Sequence, residues 1–401
     1  MSMPIHTYLD LDVVNYNLNS SAAAPHLRFE ETRNSPFLEG DTSEYFCSIV
    51  RFSIQTGNSL PIFIPRIETG QGDINKTVYK VTLYLEADKG TYYQCNTSLL
   101  FTATDSTAEV PQAPLIQQDM NGSYYYQYCI KDIVTMFNAG LQKAWEGLVN
   151  LIPIKTDQYD KMDLRNIFNA AYRPFFEYDY DKCRLVLNVD QTFPTGTHNN
   201  GVPTTTTFTT YTGSLYFNTR FYELLSGLSC IRKNREGDLN YLFNPDLSIT
   251  RTVKDSNLVS HNMWQTVQEI SSIAMWNPIA SIAFCTGMLP IFPTNTSLPM
   301  TYGGTTDDNL SSNGNNSNLT NIISDFEIAV SDANQYRPII VYNPSSEYRL
   351  IDMHTMQNLK QIDISVFWKT QFGDYIPLRL QPGCAAHIKL MFRHKTFYLG
   401  Y

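Results

Sequence analysis

The sequence is short of charge and contains no long apolar run. Charged residues make up 17% of its 401 residues, whereas soluble globular domains usually carry about a quarter. No stretch approaches the roughly 20 apolar residues of a membrane span. Residues 1–18 lack the positive start and apolar run of a signal peptide. We therefore expect no membrane span, no secretion signal, and a polar but neutral surface of the kind that neighbouring subunits often cover.

The cysteines are too few and too scattered for a disulfide framework or a zinc site. The seven stand at positions 47, 95, 129, 183, 230, 285 and 384 and never form a CxxC pair. An odd number at wide spacing is typical of free thiols rather than of paired ones. We expect reduced, mostly buried thiols in a protein made in a cytosol-like compartment.

Positive charge is scarce, which argues against nucleic-acid binding. The net charge is −9 at pH 7, and no run of Lys or Arg occurs. An acidic chain gains little from a phosphate backbone. The densest positive patch, Arg232–Arg235, is more typical of a solvated corner than of a binding site.

No motif of a common catalytic or cofactor-binding site is present. GxGxxG, GxxxxGK[ST], HExxH and GxSxG do not occur. The seven histidines stand singly, and His387 and His394, seven residues apart, would lie on opposite faces of an ideal strand. Asp307 and Asp308 lie in an Asn/Ser-rich stretch without the DxDxDG spacing of a calcium loop. We predict no catalytic, cofactor-binding or metal site, and a protein that is not an enzyme.

Patterns typical of β-strands fill most of the chain and are clearest in residues 336–395. The even positions of residues 362–368 are apolar and alternate with mostly polar residues, as in a half-buried antiparallel strand. Four more strand candidates lie within residues 45–104, whereas residues 231–270 have no clean boundaries. The chain is therefore expected to be all-β.

One segment has a strong helical pattern instead. Apolar residues recur there at three- and four-residue steps, namely Ile130, Ile133, Val134, Phe137, Leu141, Ala144, Trp145 and Leu148. A helix that binds a partner would show the same pattern, but a helix packed on its own sheet is the more common arrangement. We expect one packing helix.

Composition divides the chain into an amino-terminal arm and a larger β domain. Residues 1–40 have little periodicity and three prolines, which predicts an extended arm that is ordered on a neighbouring subunit. Residues 41–401 would form the β domain, with an inserted or elaborated region at about 104–275. The polar segments 195–212 and 294–321 are too poor in apolar residues to bury a core, and predict exposed loops.

Six long strings carry a family resemblance. They are RFEETRNSPFLEGDTSEYFCSIVRFSI, LPIFIPRI, WNPIASIAFCTGMLPIFPTN, SDFEIAV, YRPIIVYNPSSEYRLIDM and DISVFWKTQFGDYIPLRLQPGCAAHIKLMFR. In this order they resemble penton or minor capsid proteins of polinton-like viruses, adintoviruses and virophages. The resemblance spans roughly residues 28–86 and 276–395, and the middle of the chain does not align.

This resemblance implies a jelly-roll β-sandwich with long insertions, which forms homo-pentamers at the vertices of an icosahedral capsid. The strand pattern agrees, because a jelly roll consists of two packed antiparallel sheets with about eight strands. The implied partners are the neighbouring major capsid protein and, as a further partner to test, a fibre or host receptor. The implied location is the virion, after synthesis in the host cytoplasm or nucleus.

Two alternatives stay open. SIVRF and LPIF at residues 48–52 and 60–63 echo SIAF and LPIF at residues 281–284 and 289–292, and a duplicated β domain would indicate a hexon-type double jelly roll or another minor capsid protein. The 26 tyrosines also suit a carbohydrate- or receptor-binding β-sandwich, although tyrosine is equally enriched at subunit interfaces. Strand patterns do not distinguish a pentamer from a trimer.

Overall fold

The computed structural model divides the chain into two compact units. It describes residues 6–17, 24–57, 59–88, 90–115, 118–120, 122–153, 163–199, 208–235, 239–292, 301–302, 310–311, 321–328, 337–344, 349–371 and 373–395. Unit 1 comprises Met1–Pro61, Pro278–Val330 and Asn334–Tyr401, and unit 2 comprises Ile62–Asn277 and Ser331–Ala333. Most of unit 2 is thus inserted into the sequence of unit 1.

The described residues form twenty-two strands, four α-helices and two 3-10 turns. The strands are β1 (His6–Val14), β2 (Arg28–Thr32), β3 (Tyr45–Gln55), β4 (Lys76–Asp88), β5 (Thr91–Leu100), β6 (Phe175–Asp179), β7 (Arg184–Asp190), β8 (Thr195–Asn199), β9 (Phe208–Phe217), β10 (Cys230–Arg235), β11 (Leu239–Phe243), β12 (Thr250–Lys254), β13 (Ser260–Val267), β14 (Ile279–Thr286), β15 (Thr301–Tyr302), β16 (Leu310–Ser311), β17 (Asn321–Glu327), β18 (Ile339–Tyr342), β19 (Ile351–Asp352), β20 (Gln361–Thr370), β21 (Tyr375–Pro377) and β22 (Ala385–His394). The helices are α1 (Ile130–Leu151), α2 (Leu164–Ala170), α3 (Thr219–Leu224) and α4 (Ile273–Trp276), and the turns are Thr42–Glu44 and Ser123–Tyr125.

Unit 1 is a jelly roll. Sheet A has the strand order β1-β22-β3-β18, with β19 paired to β3, and sheet B has the order β17-β14-β20-β2, with β21 paired to β20. All of these pairings are antiparallel. The eight long strands are shared four and four between two sheets, which is the jelly-roll arrangement. The predicted all-β jelly-roll fold is confirmed.

Aromatic side chains between the two sheets form the core of unit 1. Phe52 of β3 is fully buried, and its ring meets Phe284 of β14 edge-on at a centroid distance of 4.9 Å. The ring centroid of Phe29 in β2 lies 6.5 Å from that of Phe52. The alternation predicted for residues 362–368 is confirmed, since Ile362, Ile364, Val366 and Trp368 of β20 are all buried.

Unit 2 combines two further sheets with the long helix. Sheet C has the order β10-β11-β9-β4-β5, with β8 paired to β9, and sheet D has the order β12-β13-β7-β6. Helix α1 packs against β4, β5 and β6, and Phe137 of α1 contacts Phe176, Phe221 and Trp276 at centroid distances of 5.9, 4.9 and 6.2 Å. The expected packing helix is therefore α1, and α2 to α4 are short additions.

Helix α1 also supplies hydrogen-bond partners to one residue of β6, an edge strand of sheet D. The side-chain amide of Asn138 donates to the carbonyl of Phe176 at 2.9 Å and accepts from its backbone N–H at 2.7 Å. Edge strands leave such groups without a strand partner. One asparagine thus supplies the donor and the acceptor that a neighbouring strand would have supplied to Phe176.

The prediction of an amino-terminal arm at residues 1–40 is wrong for the described residues of that segment. β1 pairs with β22 from His6 to Val14, and β2 pairs with β20. Leu9 and Leu11 are 8% exposed, so β1 has a buried side of its own. The prolines that suggested an arm lie outside these two strands.

Two further expectations differ from the structure. The inserted region expected at 104–275 lies within unit 2, which begins earlier, at Ile62, because β4 pairs with β9. In the polar segment 195–212, β8 and β9 pair with each other and Tyr211 is 2% exposed. The exposed-loop prediction is therefore wrong for the described part of that segment, because threonine suits a strand as well as a loop.

The repeated strings SIVRF and SIAF and the described part of the polar segment 294–321 belong to unit 1. SIVRF lies in β3 and SIAF in β14, so the echo joins two strands of one jelly roll rather than two copies of a domain. Most of segment 294–321 lies outside the described residues. Of the part that is described, β15 and β16 pair with each other.

Candidate functional site

The residues that the sequence brought forward as weak candidates do not form a joint site. The patch Arg232–Arg235 belongs to β10, where the Arg232 side chain donates to Asn234 at 3.0 Å. His387 and His394 both lie in β22, and each faces its own carboxylate, Asp12 at 2.7 Å and Glu44 at 3.1 Å. Asp307 and Asp308 lie outside the described residues.

Two of the cysteines, Cys47 and Cys285, are core residues rather than reactive thiols. All seven are free, and Cys47 and Cys285 are buried, whereas the other five are only partly buried. Burial raises the pKa of the Cys47 and Cys285 thiols to about 12. A nucleophilic cysteine needs the opposite shift, so these two thiols act as core residues.

Within the described ranges there is no cluster of three or more His, Cys, Asp or Glu side chains that could hold a metal ion. No helix of the described residues has the length and hydropathy needed to cross a bilayer. The clearest candidate surface of unit 1 is one face of sheet A.

The outer face of sheet A is the side that turns away from sheet B. It is built from Tyr8, Asp10, Asp12 and Val14 of β1, His387 and Lys389 of β22, Arg51 and Ser53 of β3, and Ile339 and Val341 of β18. The strand register places these side chains in cross-strand rows, such as Asp10, Lys389 and Arg51. Alternation along each strand puts them all on the same side.

Charged side chains on β1, β22 and β3 of this face neutralise one another. Asp10 accepts from Arg51 at 3.3 Å and lies 3.1 Å from the Lys389 ammonium. Asp12 lies 2.7 Å from Nδ1 of His387. Exposed ion pairs of this kind contribute about 0–1 kcal/mol each, so they give the face a fixed charge pattern rather than much stability.

Apolar side chains also lie on the two edge strands of this face, the β1 margin and the β18 margin, and on β1 they stand on either side of Asp10 and Asp12. On the β18 margin, Ile339 and Val341 are 59% and 62% exposed. On the β1 margin, Tyr8 and Val14 are 54% and 40% exposed, and Tyr16, just beyond the strand, is 84% exposed. Single exposed apolar residues are ordinary, whereas exposed apolar residues that group together mark contact sites.

Sequence reasoning missed the β1 half of this face. The signal was present in residues 8–12, YLDLD, where apolar and acidic residues alternate. The β18 half was recognised as a strand, but which of its side chains point outward depends on its register with β3, and register follows from tertiary pairing.

Known viral proteins are similar to this chain in sequence. A family model described as Sputnik minor capsid protein V18/19 matches residues 7–394. The uncharacterised protein V18 of the Sputnik virophage is 30% identical over 153 residues, which are 36% of this chain and 85% of V18. The structural protein V19 of the same virophage is 27% identical over 132 residues, 33% of this chain, and the match spans 56% of V19.

Two solved structures share the fold. A chain of the Sputnik virophage, solved by cryo-EM, aligns with a TM-score of 0.72 and 22% identity, over 98% of this chain and 99% of that chain. The mavirus penton protein aligns with a TM-score of 0.57 and 14% identity, over 97% of this chain and 99% of its own. At these identities the likeness establishes the fold.

Proposed function

Because the chain belongs to the Sputnik minor capsid protein V18/19 family, we propose that it is the vertex subunit of an icosahedral virion and assembles as a ring of five copies. The chain is a structural capsid protein of the virion and not an enzyme. The observation that carries the proposal is the alignment with the mavirus penton protein over nearly the full length of both chains.

The outer face of sheet A supports a ring. A closed ring of identical subunits needs two different, complementary surfaces on each copy, because every contact is head-to-tail. The β1 margin and the β18 margin are two such surfaces at opposite edges of one sheet. We propose that the β18 margin of one copy packs against the β1 margin of the next, so that Ile339 and Val341 meet Tyr8, Val14 and Tyr16.

Native mass spectrometry of the purified chain, together with negative-stain class averages, tests the ring. The expected result is a mass of five subunits and fivefold averages. A mass of three subunits with a pseudo-sixfold outline would replace this proposal with the hexon-type alternative. A monomer under all conditions, absent from purified particles, would contradict both.

Substitutions on the β18 margin test the contact itself. Val341→Glu and Ile339→Glu should each convert the ring to monomers, because an unpaired carboxylate at an apolar contact is costly. Met356→Glu is the matched control, since Met356 is 82% exposed and lies in the segment between β19 and β20, outside β1 and β18. Equal unfolding temperatures of the Val341→Glu and Ile339→Glu chains and of the Met356→Glu control would show that the substitutions leave the fold of the subunit intact. Unchanged rings in both margin variants would place the contact elsewhere.

The remaining partners follow from the vertex role. A vertex ring must contact the neighbouring major capsid protein, and it can also hold a fibre or a host receptor. Seven free cysteines suit synthesis in a reducing compartment such as the host cytoplasm or nucleus. Cross-linking of intact virions followed by mass spectrometry would identify the neighbour, and the absence of any link to the major capsid protein would contradict the vertex position.

A further inference from the structure

Unit 2 contains an open cleft that has no part in the assembly surfaces described above. Its volume is about 530 Å³, within the range of about 300–1,000 Å³ that is typical of small-molecule sites. β6, β7, β12 and β13 of sheet D form the floor, the first turns of α1 form one wall, and the turn after β6 forms the rim.

Two tyrosines stand at the rim of this cleft. Tyr180 is 57% exposed, and its ring packs edge-on against Tyr178 at a centroid distance of 4.9 Å. The Tyr178 ring therefore supports the Tyr180 ring from one side while leaving much of it open to solvent. An aromatic ring held in this way presents an apolar plane to a ligand.

Polar groups on the floor are held in fixed positions. Arg251 pairs with Glu177 at 2.5 Å. Asn188 donates to the same carboxylate at 3.3 Å, and Gln265 donates to Asn188 at 3.1 Å. Planar donors and acceptors that are already oriented can bind neighbouring hydroxyl groups with little loss of conformational entropy.

The charged side chains that line the cleft have a net charge of one positive. Lys131, Lys182 and Arg251 face Glu177 and Asp179. Arg251 pairs with Glu177, and Lys182 lies 3.5 Å from Asp179. No such ion pair is formed by Lys131 with any described residue, and it lies in the first turn of α1, where the helix dipole adds positive potential.

From these observations we propose that the cleft binds an acidic saccharide, one that carries a carboxylate on a pyranose ring. The apolar face of one sugar ring stacks on Tyr180. The hydroxyl groups bind the Arg251, Glu177 and Gln265 side chains, and the carboxylate pairs with Lys131. A ligand that offered only negative charge would neither stack on the Tyr180 ring nor donate a hydrogen bond to the Glu177 carboxylate.

This site goes beyond the vertex role and does not depend on it, because every residue of the cleft belongs to one copy. Binding is tested on the full chain, by titration calorimetry and saturation-transfer NMR, with sialyllactose, a glucuronate-containing tetrasaccharide and neutral lactose as probes. We expect at least one acidic probe to bind and lactose to bind at least about tenfold more weakly, a difference of about 1.4 kcal/mol.

Two variants test the Tyr180 and Lys131 contacts, and two control variants test whether any substitution of the same kind weakens binding. Tyr180→Ala and Lys131→Gln should each weaken acidic-probe binding by about tenfold, and Lys131→Gln should also remove the preference over lactose. The matched controls are Tyr92→Ala on β5, which is 63% exposed, and Lys143→Gln on the exposed side of α1. Both controls should bind like the unaltered chain.

Three outcomes would overturn the proposal. They are no binding of either acidic probe, binding that all four variants weaken equally, and binding that Tyr180→Ala and Lys131→Gln leave unchanged. Displacement of the saccharide by a short acidic peptide of higher affinity would assign the cleft to a protein ligand instead. Thermal unfolding of each variant shows whether a loss of binding is a loss of fold, and the oligomeric mass, measured in parallel, reports on the vertex role separately.

Discussion

Cys47 and Cys285 are thiols that the fold of unit 1 keeps protonated. Burial raises the pKa of both from near 9 to about 12, so the folded chain holds these protons at pH values where the unfolded chain has lost them. The stability that they contribute is complete below about pH 9 and is lost as the pH rises toward 12. Each thiol should lower the free energy of unfolding by about 1.4 kcal/mol per pH unit in that range.

Urea unfolding of the purified chain between pH 8 and 10 measures this slope. The double variant Cys47→Ala/Cys285→Ala should show a flatter decline of stability above pH 9 than the unaltered chain. Cys183→Ala is the control, because Cys183 lies in the surface turn between β6 and β7. Equal slopes in the unaltered chain and the double variant would mean that these thiols titrate normally in the folded state.

Among the secondary-structure elements, helix α1 is the one whose close packing was hardest to foresee. Gly140 faces β5 so closely that an added Cβ would overlap the Leu99 side chain, and Leu99 is fully buried. The Ile130-to-Leu148 pattern predicts the apolar side of the helix. It does not show that one position on that side must have no side chain, because this follows from the distance between helix and sheet.

Gly140→Ala should therefore destabilise unit 2, although alanine favours a helix by about 1 kcal/mol over glycine. Overpacking of a filled core costs about 1–3 kcal/mol, so we expect a net loss in denaturant unfolding. Leu99→Ala in the same chain should recover part of that loss, since it removes the overlapping atoms. Gly122→Ala, where an added Cβ meets nothing within 4 Å, should be close to neutral. A Gly140→Ala chain that is more stable than the unaltered one would refute the close contact.

The first strand shows what sequence patterns can and cannot predict in this chain. Segments with a long alternation, such as β20, were recognised because one face is apolar and the other mostly polar. β1 alternates over residues 8–12, but the two adjacent valines Val13 and Val14 interrupt the pattern, and its partner β22 lies at the far end of the sequence. The outer face of sheet A could not be predicted for the same reason, since it joins two strands from residues 6–55 with two strands from residues 339–394.

Deletion of residues 1–17 should consequently unfold unit 1 rather than only impair assembly. The deletion removes Leu9 and Leu11 from the core and exposes the edge of β22, which is otherwise covered along nine residues. We expect loss of the cooperative unfolding transition of unit 1 and aggregation of the product. A truncated chain that folds normally but fails to enter particles would restore the arm hypothesis.

At the scale of the whole molecule, each unit has its own aromatic core. Phe52 is at the centre of the core in unit 1, and Phe137 contacts three aromatic side chains in unit 2. Both side chains are fully buried. A compact unit with a separate core can unfold as a cooperative unit of its own.

Calorimetry of the full chain should accordingly show two unfolding transitions. Replacement of a buried phenylalanine by alanine costs about 3–5 kcal/mol, so Phe52→Ala should lower the temperature of one transition and Phe137→Ala that of the other. Phe292→Ala is the control, because Phe292 is 60% exposed, and it should move neither transition by more than a small amount. A single transition, lowered equally by Phe52→Ala and by Phe137→Ala, would mean that the two units unfold together. The stability of the jelly roll could then not be separated from the stability of the unit inserted into its sequence.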